Sequence, residues 1–294
     1  MQTREDLLAF PPALLRADTR DPLAVAAQVR ADYLSMFPEG DRQFVSRAFS
    51  WALDSFTGRD GEYLPNDARY HDLEHTLQGT LCLSTLLRGR HEAGSEPRLT
   101  CKAFELCLLA ILLHDTGYLK RRDDTTGTGA KYTLTHVARS CDFSERLLAA
   151  KGFPAGDILA VKNMIRCTGM GANVAAIPFQ DELERVGGYA LATADLLGQM
   201  AADDYIDKLP VLYEEFVESG KFNGSNGAVG FASIEDLMRK TPVFWRKYVL
   251  PKVQDDFLGL HRFLVEPGTD GRNRYVERIE ANIDRLSRRL ALAA

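Results

Sequence analysis

The sequence LCLLAILLHD, residues 106–115, decides the fold class of this chain. The apolar pattern that leads into it begins near Thr100, so the segment is longer than an ordinary strand and predicts a buried helix over 100–114. Eight apolar residues are also far too few to cross a membrane. The run ends on His114 and Asp115, and burying such an ionisable pair is costly unless each group is paired or binds a metal.

The same helical signal extends over most of the chain. Apolar residues recur at three- and four-residue steps, whereas stretches with strand-like alternation are hard to find. We therefore predict an all-α protein. The helices predicted on either side of the central run cover 23–37, 44–56, 75–87, 135–151, 155–167 and 181–205, the last of them weakened at Gly187-Gly188.

The last third reads as an additional helical lobe. A Gly/Asn-rich loop, 223–230, separates a helix over 206–220 from one that starts at Ser233. An amphipathic helix over 275–290 would dock on the body of the protein or on a second copy in a homodimer; a membrane-surface helix is the alternative. The predicted division of the chain is an N-terminal helical extension, a core and a C-terminal lobe: 1–66, 67–205 and 206–294.

Composition narrows the class of partner. The chain has 294 residues, a net charge of −5 and a pI near 5.8, which gives no general attraction to nucleic acid. Residues 1–12 lack a secretion signal and no apolar run is long enough for a membrane span, so we expect a cytoplasmic protein with no membrane partner. Five cysteines without a Cys-x-x-Cys pair predict buried thiols rather than disulfides or a zinc ribbon.

Histidines and aspartates recur on separate predicted helices. The sequence YHDLEH, residues 70–75, puts two histidines on one helix face, and Asp195 lies among small residues that let its carboxylate approach a shared centre. Imidazoles and carboxylates from three helices suit zinc, iron or manganese, and also magnesium at the oxygen-rich side. Such an ion activates water near neutral pH. The predicted ligands are His75, His114, Asp115 and Asp195.

The order His, His-Asp, Asp within a helical chain resembles the HD superfamily of metal-dependent phosphohydrolases over residues 68–205. The resemblance implies a phosphodiesterase-like helical bundle that binds one or two divalent ions. It makes His75 the first ligand, His114-Asp115 the doublet that names the family, and Asp195 the last ligand. Asp115 would bridge to a second ion and is thereby a catalytic residue.

Within that superfamily, residues 70–75 are similar to the Tyr-His-Asn-x-x-His motif of cyclic-nucleotide phosphodiesterases. There the first histidine protonates the leaving oxygen, which implies that His71 is the general acid. Asp72 stands where that motif has Asn, and no purine-clamping glutamine region is found. Together with Tyr213–Phe216, the motif looks closer to small bacterial HD proteins described only as predicted phosphohydrolases.

His136 resembles the extra histidine of two-metal HD proteins, or it contacts the phosphate of the substrate. The further histidine of those proteins would fall near Cys167, whose thiolate is either a ligand for a soft metal or an ordinary buried thiol.

Three cations near the ligand helices are candidates to bind a substrate phosphate: Lys120, Lys131 and Arg166. For Lys120, a loop neutralised by Asp123 and Asp124 is an equal alternative.

The pattern as a whole favours hydrolysis of a phosphomonoester or phosphodiester. The partner would be a small phosphorylated molecule, with nucleotides among the candidates. Two alternatives stay open: a di-iron oxygenase, which asks for more histidines than the chain supplies, and a non-catalytic module in which a metal joins helices.

Overall fold

Ten α-helices make up most of the chain in the computed structural model, which describes residues 17–169, 171–224, 230–265 and 271–292. The predicted absence of a secretion signal concerns residues 1–12, which lie outside these ranges. The described residues contain isolated β-bridges but no strand, so the predicted all-α class is confirmed. The helices are α1 (Pro22–Met36), α2 (Phe44–Phe56), α3 (Leu73–Glu92), α4 (Cys101–Leu113), α5 (His136–Ala150), α6 (Ala155–Ile165), α7 (Glu182–Met200), α8 (Tyr205–Phe222), α9 (Ile234–Phe244) and α10 (Arg274–Leu292).

The most extensive contact between helices is that of α3 with α7; α4 packs on both of them, and α6 packs on α4 and α7. Glycine makes this close approach possible, since a Cβ at Gly198 would lie 2.8 Å from the carbonyl oxygen of Gln78. The predicted weakness at Gly187-Gly188 is wrong, because α7 runs through it without a break. These two glycines instead leave room for neighbouring side chains, and Cβ atoms on them would lie within 2.8 Å of the sulfur atoms of Cys107 and Cys167.

Side-chain caps fix where the core helices start. The hydroxyl of Thr100 accepts a hydrogen bond from Ala103 N at the start of α4. The carboxylate of Asp72 accepts one from His75 N, at 2.8 Å, at the start of α3. Asp72, which stands where the phosphodiesterase motif has Asn, is therefore the N-cap that sets the first turn carrying His75.

One hydrophobic core includes side chains from all three predicted segments. Val29 of α1 and Ile283 of α10 belong to the same buried cluster as Leu109 of α4. Helices α1 and α2 pack on α3 and α4, and α10 packs on α7, α8 and α9. The apolar stripe of α10 is thus buried against its own chain, as the body-docking alternative predicts.

Beyond α9 the chain continues through two π-helical segments, Trp245–Val249 and Lys252–Asp256. Among the described helices, none combines the length and the apolar content that crossing a membrane would require.

Candidate metal centre

Four buried donor groups lie close together: ligand atoms of His75, His114 and Asp195 all lie within 4.8 Å of one another, and Asp115 contacts both imidazoles. Nε2 of His75 lies 3.2 Å from Oδ2 of Asp115 and 3.2 Å from Oδ1 of Asp195. Nε2 of His114 lies 3.3 Å and 3.4 Å from the same two oxygens. Two donors that each lie about 2.0–2.3 Å from one ion are separated by roughly 3–3.5 Å when adjacent. The spacing is therefore that of neighbouring ligands around a single small cation.

Three helices position the four donors. His75 lies in the first turn of α3, and His114 and Asp115 directly follow the last residue of the buried helix α4. Asp195 lies in the middle of α7, where the neighbouring small residues Ala192 and Ala194 are buried. Nδ1 of His114 donates to the carbonyl oxygen of Ile111 at 2.7 Å, which leaves Nε2 free to act as a ligand.

The donor atoms fit a divalent cation because they lack other partners. Nε2 of His114, Oδ2 of Asp115 and Oδ1 of Asp195 are buried, and none has a hydrogen-bond partner in the described part of the chain. Buried polar atoms of this kind are costly unless something binds them. Two carboxylates with two neutral imidazoles carry a charge of about −2, which a divalent cation neutralises.

The pKa values reflect the same clustering. Burial alone would lower the pKa of His75, but the carboxylates of Asp115 and Asp195 raise it to about 10. Burial would raise the pKa of both carboxyl groups, yet the neighbouring imidazoles, His114 foremost, hold each pKa below its ordinary value. Charge pairing therefore outweighs burial, and the carboxylates stay ionised; the imidazoles hold protons in this pairing and would have to release them to act as ligands.

His136 lies next to this cluster and approaches the other oxygen of Asp115. Nδ1 of His136 donates to the carbonyl oxygen of Thr133 at 2.7 Å, and its Nε2 lies 3.9 Å from Oδ1 of Asp115. Asp115 thus presents one oxygen to His75 and His114 and the other to His136. Cys167 does not join the group: its thiol is buried beside Gly188 and contacts the carbonyl oxygen of Asn163, and burial raises its pKa to about 12.

The carboxylate of Glu215, which was not among the predicted site residues, holds the imidazole of His71. Nδ1 of His71 donates to Oε2 of Glu215 at 2.6 Å, and Oε1 of Glu215 accepts from Tyr70 N at 2.7 Å. Burial would raise the pKa of Glu215, but the His71 imidazole and these hydrogen bonds lower it. Glu215 belongs to α8, so the C-terminal lobe orients a histidine of the core. The only signal in the sequence was the Tyr213–Phe216 stretch noted for its resemblance.

A cavity of about 550 Å³ opens from the donor cluster. Its lining includes His71, His75, Asp115, His136 and Asp195, so the candidate acid and the candidate ligands share one space. Arg166 also lines it, with its guanidinium donating to Asn163 Oδ1 at 2.6 Å.

The two predicted phosphate-binding lysines lie elsewhere. The ammonium group of Lys120 pairs with Asp67 at 2.8 Å and donates to the carbonyl oxygen of Gly127. That of Lys131 pairs with Asp124 and donates to the carbonyl oxygen of Thr126. Neither is among the described residues that line the cavity. The prediction that these two lysines bind the substrate phosphate is therefore wrong: Lys120 joins the 120–131 loop to Asp67, and Lys131 is neutralised by Asp124 within that loop.

The fold and the site define an all-α protein with a buried His/Asp cluster at a deep cavity. The chain belongs to the Npun_R2479-like family, whose model matches residues 45–285. This range contains every residue of the cluster as well as His71 and Glu215. No curated protein matches the sequence.

Proposed function

We propose that this protein is a metal-dependent phosphohydrolase that cleaves a phosphomonoester or phosphodiester. The observation that carries the proposal is a buried cluster of two imidazoles and two carboxylates, in which three donor atoms have no hydrogen-bond partner among the described residues; His75, Asp115 and Asp195 of this cluster line the same cavity as His71. The ligands would be His75, His114, Asp115 and Asp195. A divalent cation bound there would supply Lewis-acid activation of a water molecule and of the phosphoryl oxygens.

The residues around the cluster supply the remaining roles. With Nδ1 of His71 donating to Glu215, the proton for the leaving oxygen would be carried on Nε2. Glu215 fixes the orientation of this imidazole and is a positioning residue. Arg166 is the cation that would contact a phosphoryl oxygen, since its guanidinium offers planar paired donors. His136 would contact the phosphate or take part in a second, less complete ion site.

The test combines metal analysis with a substrate panel. The purified protein is dialysed against zinc, iron, manganese or magnesium, and then assayed with nucleotides and nitrophenyl phosphate mono- and diesters. We expect about one bound ion per chain and turnover of at least one ester. His114→Ala should lose both properties, whereas His91→Ala, which changes a histidine in edge-to-face contact with Phe37, should keep both.

Protein that binds none of these metals would refute the proposal. Metal binding without hydrolysis of any ester would favour the non-catalytic module. An oxygen-dependent change in the optical spectrum of the iron-loaded protein would favour the oxygenase.

A further inference from the structure

The cavity beside the candidate metal centre is lined mainly by apolar side chains. The core helices supply its histidines and carboxylates, whereas α8, α9 and Phe231 supply an apolar surface. We call this surface the apolar wall; it comprises Leu209, Leu212, Phe216, Phe231, Leu237 and Phe244. A volume of about 550 Å³ is well beyond what a phosphate group fills, so most of the ligand would contact this wall.

The apolar wall is ordered by its own packing. The rings of Phe216 and Phe231 stack with centroids 5.7 Å apart and planes 8° apart. Across the cavity, Leu134 is 61% exposed and Val137 half-buried, so the cavity is in contact with solvent beside Leu134. An apolar group that enters there would lose contact with water and gain contact with apolar side chains on several sides.

Polar groups in the lining offer little to recognise a nucleobase. The hydroxyls of Thr133, Thr168 and Thr241 donate to backbone carbonyls of their own helical turns. Tyr70 donates to Gln199, and the amide of Gln199 donates to the Asp195 carbonyl oxygen. These donors are therefore already engaged within the chain, whereas the buried hydroxyl of Tyr118, which also lines the cavity, has no hydrogen-bond partner among the described residues.

Positive charge in the lining is also sparse. Arg166 and Lys240 are the cations among the described lining residues, and Lys240 pairs with Asp236 at 2.7 Å. Two cations, of which one is already paired with a carboxylate, suit one phosphate group rather than a di- or triphosphate.

We infer that the substrate is an amphiphilic phosphate ester whose phosphate lies at the His/Asp cluster and whose alkyl or aryl group lies against the apolar wall. This inference rests on the proposed function for the position of the phosphate. The apolar wall itself consists of residues outside the metal cluster.

The test measures binding of n-alkylphosphonates by titration calorimetry to manganese-loaded full-length protein. Their C–P bond resists hydrolysis, so methyl-, butyl- and octylphosphonate compare apolar groups on one head group. We expect the Kd to fall about fourfold per added methylene until the wall is covered. We also expect butylphosphonate to bind more tightly than adenosine monophosphate. A Kd that does not change with chain length, or tighter binding of the nucleotide, would overturn the inference.

Variants on α8 provide the matched comparison. Phe216→Ala should weaken octylphosphonate at least tenfold and methylphosphonate by less than about twofold. Phe222→Ala removes a ring from the same helix that is not among the described lining residues, and it should change neither Kd. The inference fails if Phe216→Ala weakens the two ligands by the same factor. It also fails if Phe216→Ala and Phe222→Ala weaken octylphosphonate equally. Phe244→Ala repeats the test if Phe216→Ala lowers the melting temperature enough to compromise folding.

Failure of the two proposals can be distinguished. Hydrolysis of simple esters together with binding that is independent of chain length would keep the phosphohydrolase and reject the amphiphile. Binding that depends on chain length and persists in metal-free His75→Ala protein, together with no hydrolysis of any ester by the metal-loaded wild-type protein, would keep the apolar site and reject the enzyme.

Discussion

Gly198 of α7 packs directly against the carbonyl oxygen of Gln78 of α3, where a Cβ would lie only 2.8 Å from that oxygen. His75 precedes Gln78 by three residues and Asp195 precedes Gly198 by three, so each candidate ligand lies one helical turn from this contact. The same interface therefore sets the separation between an imidazole and a carboxylate of the cluster.

Gly198→Ala should force α3 and α7 apart. We expect the free energy of unfolding to fall by about 1–3 kcal/mol and metal affinity to fall with it, because overpacking shifts helix backbones. The measurements are urea denaturation and metal titration. Gly156→Ala is the control, since a Cβ there meets its nearest atom at 3.6 Å. It should leave metal affinity unchanged and stability equal or up to about 1 kcal/mol higher. Equal losses in both variants would contradict this account.

Removing the cap of α3 should loosen the turn that carries His75. Asp72→Ala is expected to cost about 0.5–2 kcal/mol in the free energy of unfolding and to weaken metal binding. Asp21 caps α1 in the same way, accepting from Leu23 N at 2.9 Å, yet it lies outside the site. Asp21→Ala should show a similar loss of stability with unchanged metal affinity. The comparison fails if the two variants bind metal equally well.

His71→Ala should separate catalysis from metal binding. Because His71 is near the cluster but is not one of its four donors, we expect full metal content with kcat lowered about 10²–10⁴-fold. Glu215→Gln should lower kcat less, since the amide oxygen can still accept from Nδ1. Metal analysis and steady-state kinetics on the most active ester decide this. If His71→Ala loses its metal, His71 is a metal ligand and not the general acid.

Glu215 should also contribute to stability in a pH-dependent way. Its pKa in the folded protein is lowered from the ordinary 4.5, so its ionised form stabilises the fold above that pH and this contribution is lost as the pH falls below it. The difference in free energy of unfolding between wild-type protein and Glu215→Gln should therefore be largest near neutral pH. It should shrink by about pH 4 in urea denaturation. A difference that grows in acid would contradict the lowered pKa.

The sequence alone predicted the helices and the four clustered donors because both leave local signals. Helices repeat their apolar residues every three or four positions, and an ionisable doublet such as His114-Asp115 at the end of an apolar run demands a partner. The substrate contacts were harder to predict. Lys120 and Lys131 are close to the doublet in sequence, but Asp67 pairs with the first and Asp124 with the second.

The partner of His71 could not be predicted for a related reason. Glu215 lies 144 residues away in sequence, in an exposed-looking acidic pair, and no periodicity links the two. Only the packing of α8 against the 67–73 region brings the carboxylate to the imidazole. Contacts of this kind depend on how helices are arranged, which a single sequence does not encode in any short pattern.

The origin of Glu215 and of the whole apolar wall in residues 206–244 has a consequence for how such proteins diversify. The candidate ion-binding donors come from α3, the end of α4 and α7, so changes in the segment after α7 would alter which molecule is accepted while leaving those donors intact, provided that the carboxylate that orients His71 is kept. Selection can then change the preferred ligand and the candidate metal centre through separate segments of the chain.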